Sequence, residues 1–178
     1  MNSVTTATVS LGGVTIGLGI LAWHLTKWWR GGGKGPGPGG GGGRDPKVLI
    51  PFMTSMGLGM VAVTAAGGLI GTAAVFLLNT GSLVGNWSLT ALSGTATPEV
   101  TRSGLKALTP GGCALLVIYF VVVVALWKSG AKILKGKIVS GILCGCLLGL
   151  SAGFSGVASL ALVTVTNTIG DKITGVVM

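Results

Sequence analysis

The chain is poor in acids, with only Asp45, Glu99 and Asp171 among 178 residues. Charged side chains of both signs make up 8% of it, against about a quarter in ordinary soluble domains. Too few ionised groups are present to cover a water-facing surface. Histidine is scarce too, with His24 the single one, and no cysteine or histidine stands at metal-ligand spacing from Cys113, Cys144 or Cys146. These absences weigh against an enzyme. General acid–base chemistry has no paired carboxylates to use, and no base lies near any apolar-segment serine in sequence. No catalytic residue, metal or cofactor is therefore expected, and the cysteines read as small apolar residues. The apolar segments also lack Asp and Glu, which argues against a carrier or rotor driven by protons or sodium.

Apolar residues are abundant, at 49% of the chain with a mean hydropathy of +0.84. The expected fold is all-α: a single integral membrane domain of four transmembrane helices arranged as two helical hairpins. The expected spans are 9–29, 50–78, 111–127 and 138–166. The first charged side chain is Lys27, so no positive region precedes the first apolar stretch, and that stretch reads as an uncleaved span. Residues 50–78 would form a helix of about 43 Å, longer than a hydrocarbon core of about 30 Å. Such a helix must tilt, kink near Gly67-Gly68 or project. Residues 111–127, dense in Val, Leu, Ile and aromatics, are the best candidate for a lipid-facing helix. Residues 79–110 read as a polar outer loop, in which Thr97-Pro98-Glu99 has the chemistry of a helix start. Asn86-Trp87-Ser88 matches a glycosylation sequon there, a tripeptide that arises easily by chance.

Glycine supplies 34 residues. Gly141, Gly145, Gly149 and Gly153 recur every fourth position within an uncharged run. On a helix they form a shallow groove that lets a neighbouring helix approach closely. Gly13 with Gly17, and Gly67 with Gly71, repeat the spacing. The facing helix belongs either to the same chain or to a second copy.

The net charge is +9. Lys27, Arg30, Lys34, Arg44 and Lys47 occupy one region, largely the Gly/Pro linker 30–47, which has too little apolar surface to fold. Lys128, Lys132, Lys135 and Lys137 occupy the other. The positive-inside rule places both clusters in the cytoplasm and both termini outside, in a membrane read as the bacterial cell membrane. These residues are the expected contacts for anionic lipid headgroups, with nucleic acid a weaker alternative. Trp23, Trp28 and Trp29 mark the interface, and His24 beside them reads as an interfacial or hydrogen-bonded side chain.

In general composition the chain resembles the small hydrophobic spread proteins of actinobacterial conjugative plasmids. Its helix–basic loop–helix plan is similar to that of conjugative pilins. The likeness is one of profile and carries no motif. The expected function is an oligomerising structural or pore-forming membrane component, of the kind a DNA-transfer or secretion-like assembly uses. Its partners would be lipids, further copies of itself or other membrane proteins. The alternatives are a phage holin-type perforating protein and an accessory scaffold subunit.

Overall fold

A computed structural model describes residues 8–30, 49–65, 67–94, 97–101, 106–130 and 132–175, with the side chains of residues 132, 133 and 154 outside the description. These residues form six helices: α1 (Leu11–Arg30), α2 (Ile50–Ala62), α3 (Gly68–Ser93), α4 (Pro110–Ser129), α5 (Lys132–Gly149) and α6 (Phe154–Thr174). No strand occurs among the described residues; the extended segment is tied by isolated bridges, Ser10 to Glu99 and Thr101 to Ser151.

Local chemistry sets the helix starts. Ser10 and Thr109 are matched caps: Ser10 Oγ accepts from the Gly13 N–H, and Thr109 Oγ1 accepts from the Gly112 N–H. Pro110 follows its cap in the first turn of α4, and Pro51 occupies the first turn of α2, where a missing N–H costs nothing. At its far end α3 stops on Gly94, whose φ of +66° is left-handed and whose N–H reaches Thr90 O.

Helices α2 and α5 lie side by side and run in the same direction. Gly141 meets Phe52 and Ser55, Gly145 meets Met56 and Gly59, and Gly149 meets Met60 and Val63. α1 runs the opposite way along α5, with Gly17 at Leu148 and His24 at Ser140. α4 likewise opposes α2: Leu108 N–H donates to Thr64 O at one end, and Tyr119 Oη donates to Thr54 O further down. α1 and α4 therefore begin at the end where α2 and α5 finish. At that end α3 and α6 run across the bundle. Gly71 sits by Ala65 and Gly85 by Gly12, while α6 leaves the Ser151 bridge and brings Gly170 to Gly111. This crossing end also holds Glu99 and Asp171, since Glu99 pairs with Ser10 and Asp171 with Thr109.

The result is two interlocked three-helix halves, α1–α2–α3 and α4–α5–α6. In each, the first and third helices cross, and the pair packs on the short middle helix of the other half: α1 and α3 on α5, α4 and α6 on α2. This differs from two hairpins, because chain neighbours α1 and α2 are not each other's main packing partners. Residues 144–149 of α5 are all buried, so its C-terminal half is the centre of the core. Phe52, Met60, Leu78, Leu147 and Leu148 are the bulkiest side chains packed there.

Four sequence expectations need correction. The run 50–78 is broken after Ala62, and Gly68, at φ +75°, turns the chain into α3. The run 138–166 is broken at 150–153, where Ala152 N–H donates to Val100 O. At the breaks, local turns satisfy the N–H groups of Thr64, Ala65 and Ser151, on Val61 O, Ala62 O and Leu148 O, and the stretch between α3 and α4 supplies two distant partners, Leu108 N–H to Thr64 O and Val100 O to Ala152 N–H. The polar stretch 79–93 belongs to α3, because its hydroxyls bond back to carbonyls, Ser88 to Val84 O and Ser93 to Leu89 O, and leave the helix intact. Finally, Pro98–Thr101 is extended instead of helical. Pro98 O accepts from Leu11 N–H, and Val100 N–H donates to Val9 O, so pairing with the entry to α1 replaces the helix that Thr97-Pro98-Glu99 suggests.

α3 and α4 are each long and apolar enough to cross a membrane, and only 22% of either apolar window is buried. The core helix of a soluble protein would be mostly covered.

Candidate functional site: the glycine contacts and the basic end

Of the row in α5, Gly141, Gly145 and Gly149 all face α2 of the same chain. A Cβ at Gly145 would collide with the Met56 carbonyl, and one at Gly149 would lie 3.0 Å from Met60 Cα. Gly59 faces back from α2 onto Ile142 O and Gly145. Helices in contact at backbone level gain dispersion along their whole seam. Gly153 lies beyond α5, with open space where a Cβ would stand. A Cβ added at Gly13 would lie 2.8 Å from Ser82 Oγ, one at Gly17 2.9 Å from the Leu148 side chain and one at Gly71 3.1 Å from Ala65 O, whereas one at Gly67 would meet open space. The row thus ends at its third member, and its partner is intramolecular.

Further tight contacts lie outside the expected glycine set, although Gly85 stands four residues after Gly81. Gly12 crosses Gly85 and Asn86; Gly111 crosses Gly170 and Asp171. The two crossings share a pattern. A hydroxyl cap precedes a Gly-Gly pair (Ser10 before Gly12-Gly13, Thr109 before Gly111-Gly112), which meets a polar residue, a glycine and a second polar residue on the partner helix (Ser82, Gly85, Asn86; Asn167, Gly170, Asp171). This repeat of cap, Gly-Gly and polar-x-x-Gly-polar is the signal by which the sequence alone could have shown them.

At the opposite end stand the basic residues. Lys27 and Arg30 close α1, Lys128 closes α4, and Lys135 and Lys137 lie in the first turns of α5. Trp23, Trp28, Trp29 and Trp127 share this end, and the Lys135 ammonium lies 5.3 Å from the Trp127 ring centroid. Lys34, Arg44 and Lys47 fall outside the described residues, as does the side chain of Lys132. The structure therefore brings together five of the nine expected cationic contacts.

His24 is the polar junction of this end. Its Nε2 is 2.9 Å from Ser140 Oγ, and its ring stacks on Phe52 at 4.2 Å between centroids. The sequence offered no base near any serine of the apolar segments, so this contact is a correction. Ser140 Oγ is also 3.1 Å from Lys137 O, to which it donates. His24 Nε2–H then donates to Ser140. Glu99 and Asp171, the described carboxylates, lie at the crossing end, so nothing acidic orients this pair as a triad would require. The contact ties α1, α2 and α5 together. Among the described residues, no group of three or more His, Cys, Asp or Glu comes together to hold a metal.

The molecule is thus polarised, with Lys27, Arg30, Lys128, Lys135, Lys137 and four of the five indoles at one end, both described carboxylates at the other beside Lys106, Lys172 and Trp87, and apolar side chains exposed between. Compared with protein-family models, curated proteins and solved structures, the chain gives no match.

Proposed function

We propose that the chain is a non-enzymatic, multi-pass protein of a bacterial cell membrane that serves as a structural or pore-forming component of a larger assembly. The observation that carries this reading is the apolar exterior. Leu18 and Leu25 of α1, Phe76 and Leu83 of α3, Val117, Ile118, Val121 and Val122 of α4, and Val157, Val165 and Ile169 of α6 are all exposed. Water does not tolerate an apolar surface that continues from helix to helix in this way, whereas hydrocarbon does. α1 and α4 pass through the bilayer; α2, at 13 residues about 20 Å long, and α5 pack against them within it, while α3, although long enough to span by itself, is read as lying obliquely with α6 in the outer half. The basic end faces the cytoplasm and the crossing end faces out, by the positive-inside rule.

The glycine row is engaged within the chain, so association with further copies or partners uses the exposed faces of α3, α4 and α6. The basic face is available to acidic partners, with anionic lipid first and nucleic acid second. The pore-forming variant is favoured by one feature, the helix breaks at matching places in two parallel halves, since interrupted helices line the passage in many transport proteins.

Fractionation of cells expressing the full chain tests the core of this reading. The protein should stay with membranes through alkaline carbonate washing, and release into the soluble fraction would overturn it. Orientation is read separately, by labelling Gly40→Cys and Ser93→Cys in a background without the native cysteines. Reaction of the first site from outside intact cells would reverse the assignment. Conductance of reconstituted vesicles separates a pore from a scaffold, and abrupt loss of viability on expression would select perforation for lysis.

A further inference from the structure

Between α1 and α5, at the basic end, runs a groove of ≈ 610 Å³ lined by Ile16, Gly19, Ile20, Trp23, His24, Lys27, Gly136, Lys137 and Ser140. Its floor is one stripe of α1, because residues 16, 19, 20, 23 and 27 share a face of a helix. Its rim is the start of α5. Two glycines, one on each helix, keep it open: neither Gly19 nor Gly136 has any atom within 4 Å of where a Cβ would stand. They differ in this from Gly17, whose missing side chain is needed for contact with Leu148. Elsewhere on α1, then, glycine closes a gap, while at position 19 it leaves one.

The groove is graded along its length. Ile16, Gly19 and Ile20 make one end apolar; Lys27 and Lys137 make the other cationic, with Trp23 and the His24–Ser140 pair between them. From residue 16 to residue 27 the helix rises about 16 Å at 1.5 Å per residue. One leaflet of a hydrocarbon core of about 30 Å has half that thickness, about 15 Å. A groove of this length, apolar inward and doubly cationic at the headgroup level, has the dimensions and charge of a single anionic phospholipid.

We propose that this groove binds one anionic phospholipid per chain, its phosphate between Lys27 and Lys137 and one acyl chain laid over Gly19 against Ile16 and Ile20. The inference rests on the membrane reading above but is more specific: a fixed site with defined stoichiometry, as opposed to general attraction of basic loops to a charged surface. The His24–Ser140 bond ties the two helices together, so the helix positions that carry Lys27 and Lys137 are set before the lipid arrives, which lowers the ordering cost of binding.

The test uses the full chain, taken only from the carbonate-resistant membrane fraction, so that failure of the membrane reading is scored beforehand and separately. The protein is reconstituted in nanodiscs containing equal amounts of phosphatidylglycerol and phosphatidylcholine, then released and weighed by native mass spectrometry. The expected result is one retained phosphatidylglycerol, preferred over phosphatidylcholine by an order of magnitude or more, about fivefold for each lysine. Gly19→Leu, whose Cβ enters open space in the groove, should abolish retention while leaving thermal stability unchanged. Lys27→Gln should reduce the headgroup preference about fivefold. Equal retention of the two lipids would overturn the proposal. So would retention by Gly19→Leu at the wild-type level, since general attraction to the basic end does not depend on that position.

Discussion

The two helix crossings at one end of the bundle share a backbone and differ in their polar groups. At the second, α4 over α6, every partner is supplied. Asn167 Oδ1 accepts from Thr109 N–H at 3.0 Å, Asn167 Nδ2 donates to Ala107 O at 3.3 Å, and Thr109 Oγ1 donates to Asp171 Oδ1 at 2.8 Å. At the first, α1 over α3, Ser82 Oγ and Asn86 Oδ1 are buried without a hydrogen-bond partner in the protein. Beside them opens a cavity of ≈ 350 Å³ that reaches Thr8, Ser10, Thr97 and Glu99. The glycines alone therefore determine how close the helices come, for the approach is equally tight in both halves. The polar residues around them determine how firmly each crossing is held. Close approach and polar satisfaction are separable, and each can be attacked on its own.

The largest effect is expected where the halves meet. Leu in place of Gly145 would drive a branched side chain into the Met56 carbonyl and against Gly59. Leu is the better helix former by about 1 kcal/mol, yet a backbone carbonyl on the facing helix cannot rotate away. Overpacking of this kind costs about 1–3 kcal/mol even in favourable cases, and both the seam and the helix pairs that lean on it would be disturbed. Gly145→Leu should therefore fail to give a folded monomer in mild detergent, by size-exclusion chromatography and thermal melting. Val139→Leu, on an exposed position of the same helix, should behave as wild type. A Gly145→Leu protein that melts like wild type would show that α2 and α5 do not touch at backbone level.

Next in size are the crossings. Gly85→Ala and Gly170→Ala each add one methyl opposite a backbone, at Gly12 and at Gly111. Each should lower stability by about 1–3 kcal/mol, the overpacking cost exceeding the propensity gain of about 1 kcal/mol. If the halves are built alike, the two losses should agree closely in detergent unfolding by SDS titration. A large loss at one and none at the other would mean that the crossings are not equivalent.

These contacts were only partly legible in the sequence. The helical class, the glycine spacing of Gly141, Gly145 and Gly149 and the basic clusters follow from residue type and period, which survive in the folded chain. The first break is partly legible, since Gly67-Gly68 marks a kink and Gly68 makes the turn into α3. The second is not: Leu150-Ser151-Ala152 contains neither proline nor charge, and Ala152 N–H bonds to the distant Val100 O, a tertiary fact with no local trace. Asn79, Ser82, Asn86 and Ser88 read as a loop by their polarity, yet Ser88 bonds back to Val84 O and Ser82 and Asn86 lie against Gly13 and Gly12 at the crossing. The sequon at Asn86 falls on α3, where its side-chain oxygen is buried against Gly12. That His24 would find Ser140 across 116 positions of sequence depends on α1 and α5 being antiparallel, and no spacing rule carries that.

The smallest effect is the one that most sharpens the comparison. Asn167→Ala removes an acceptor from Thr109 N–H and a donor from Ala107 O, leaving both at a crossing shielded from water. An orphaned buried group costs about 1–3 kcal/mol. Asn86→Ala removes a side-chain oxygen that has no partner to lose. The desolvation of that oxygen is already charged against the folded state, so its removal should change stability by no more than about 0.5 kcal/mol, in either direction. The two substitutions are the same in chemistry and each lies against a Gly-Gly pair, Asn86 at Gly12 and Asn167 at Gly112, so the difference in unfolding free energy reports chiefly the hydrogen bonds that one has and the other lacks. Asn167→Ala should be the worse by about 1 kcal/mol or more. Parity would mean that the bonds at α4 and α6 add nothing to what the glycines already hold. A larger loss at Asn86 would mean that water or a bound solute in the adjoining cavity supplies the partner that the protein lacks there.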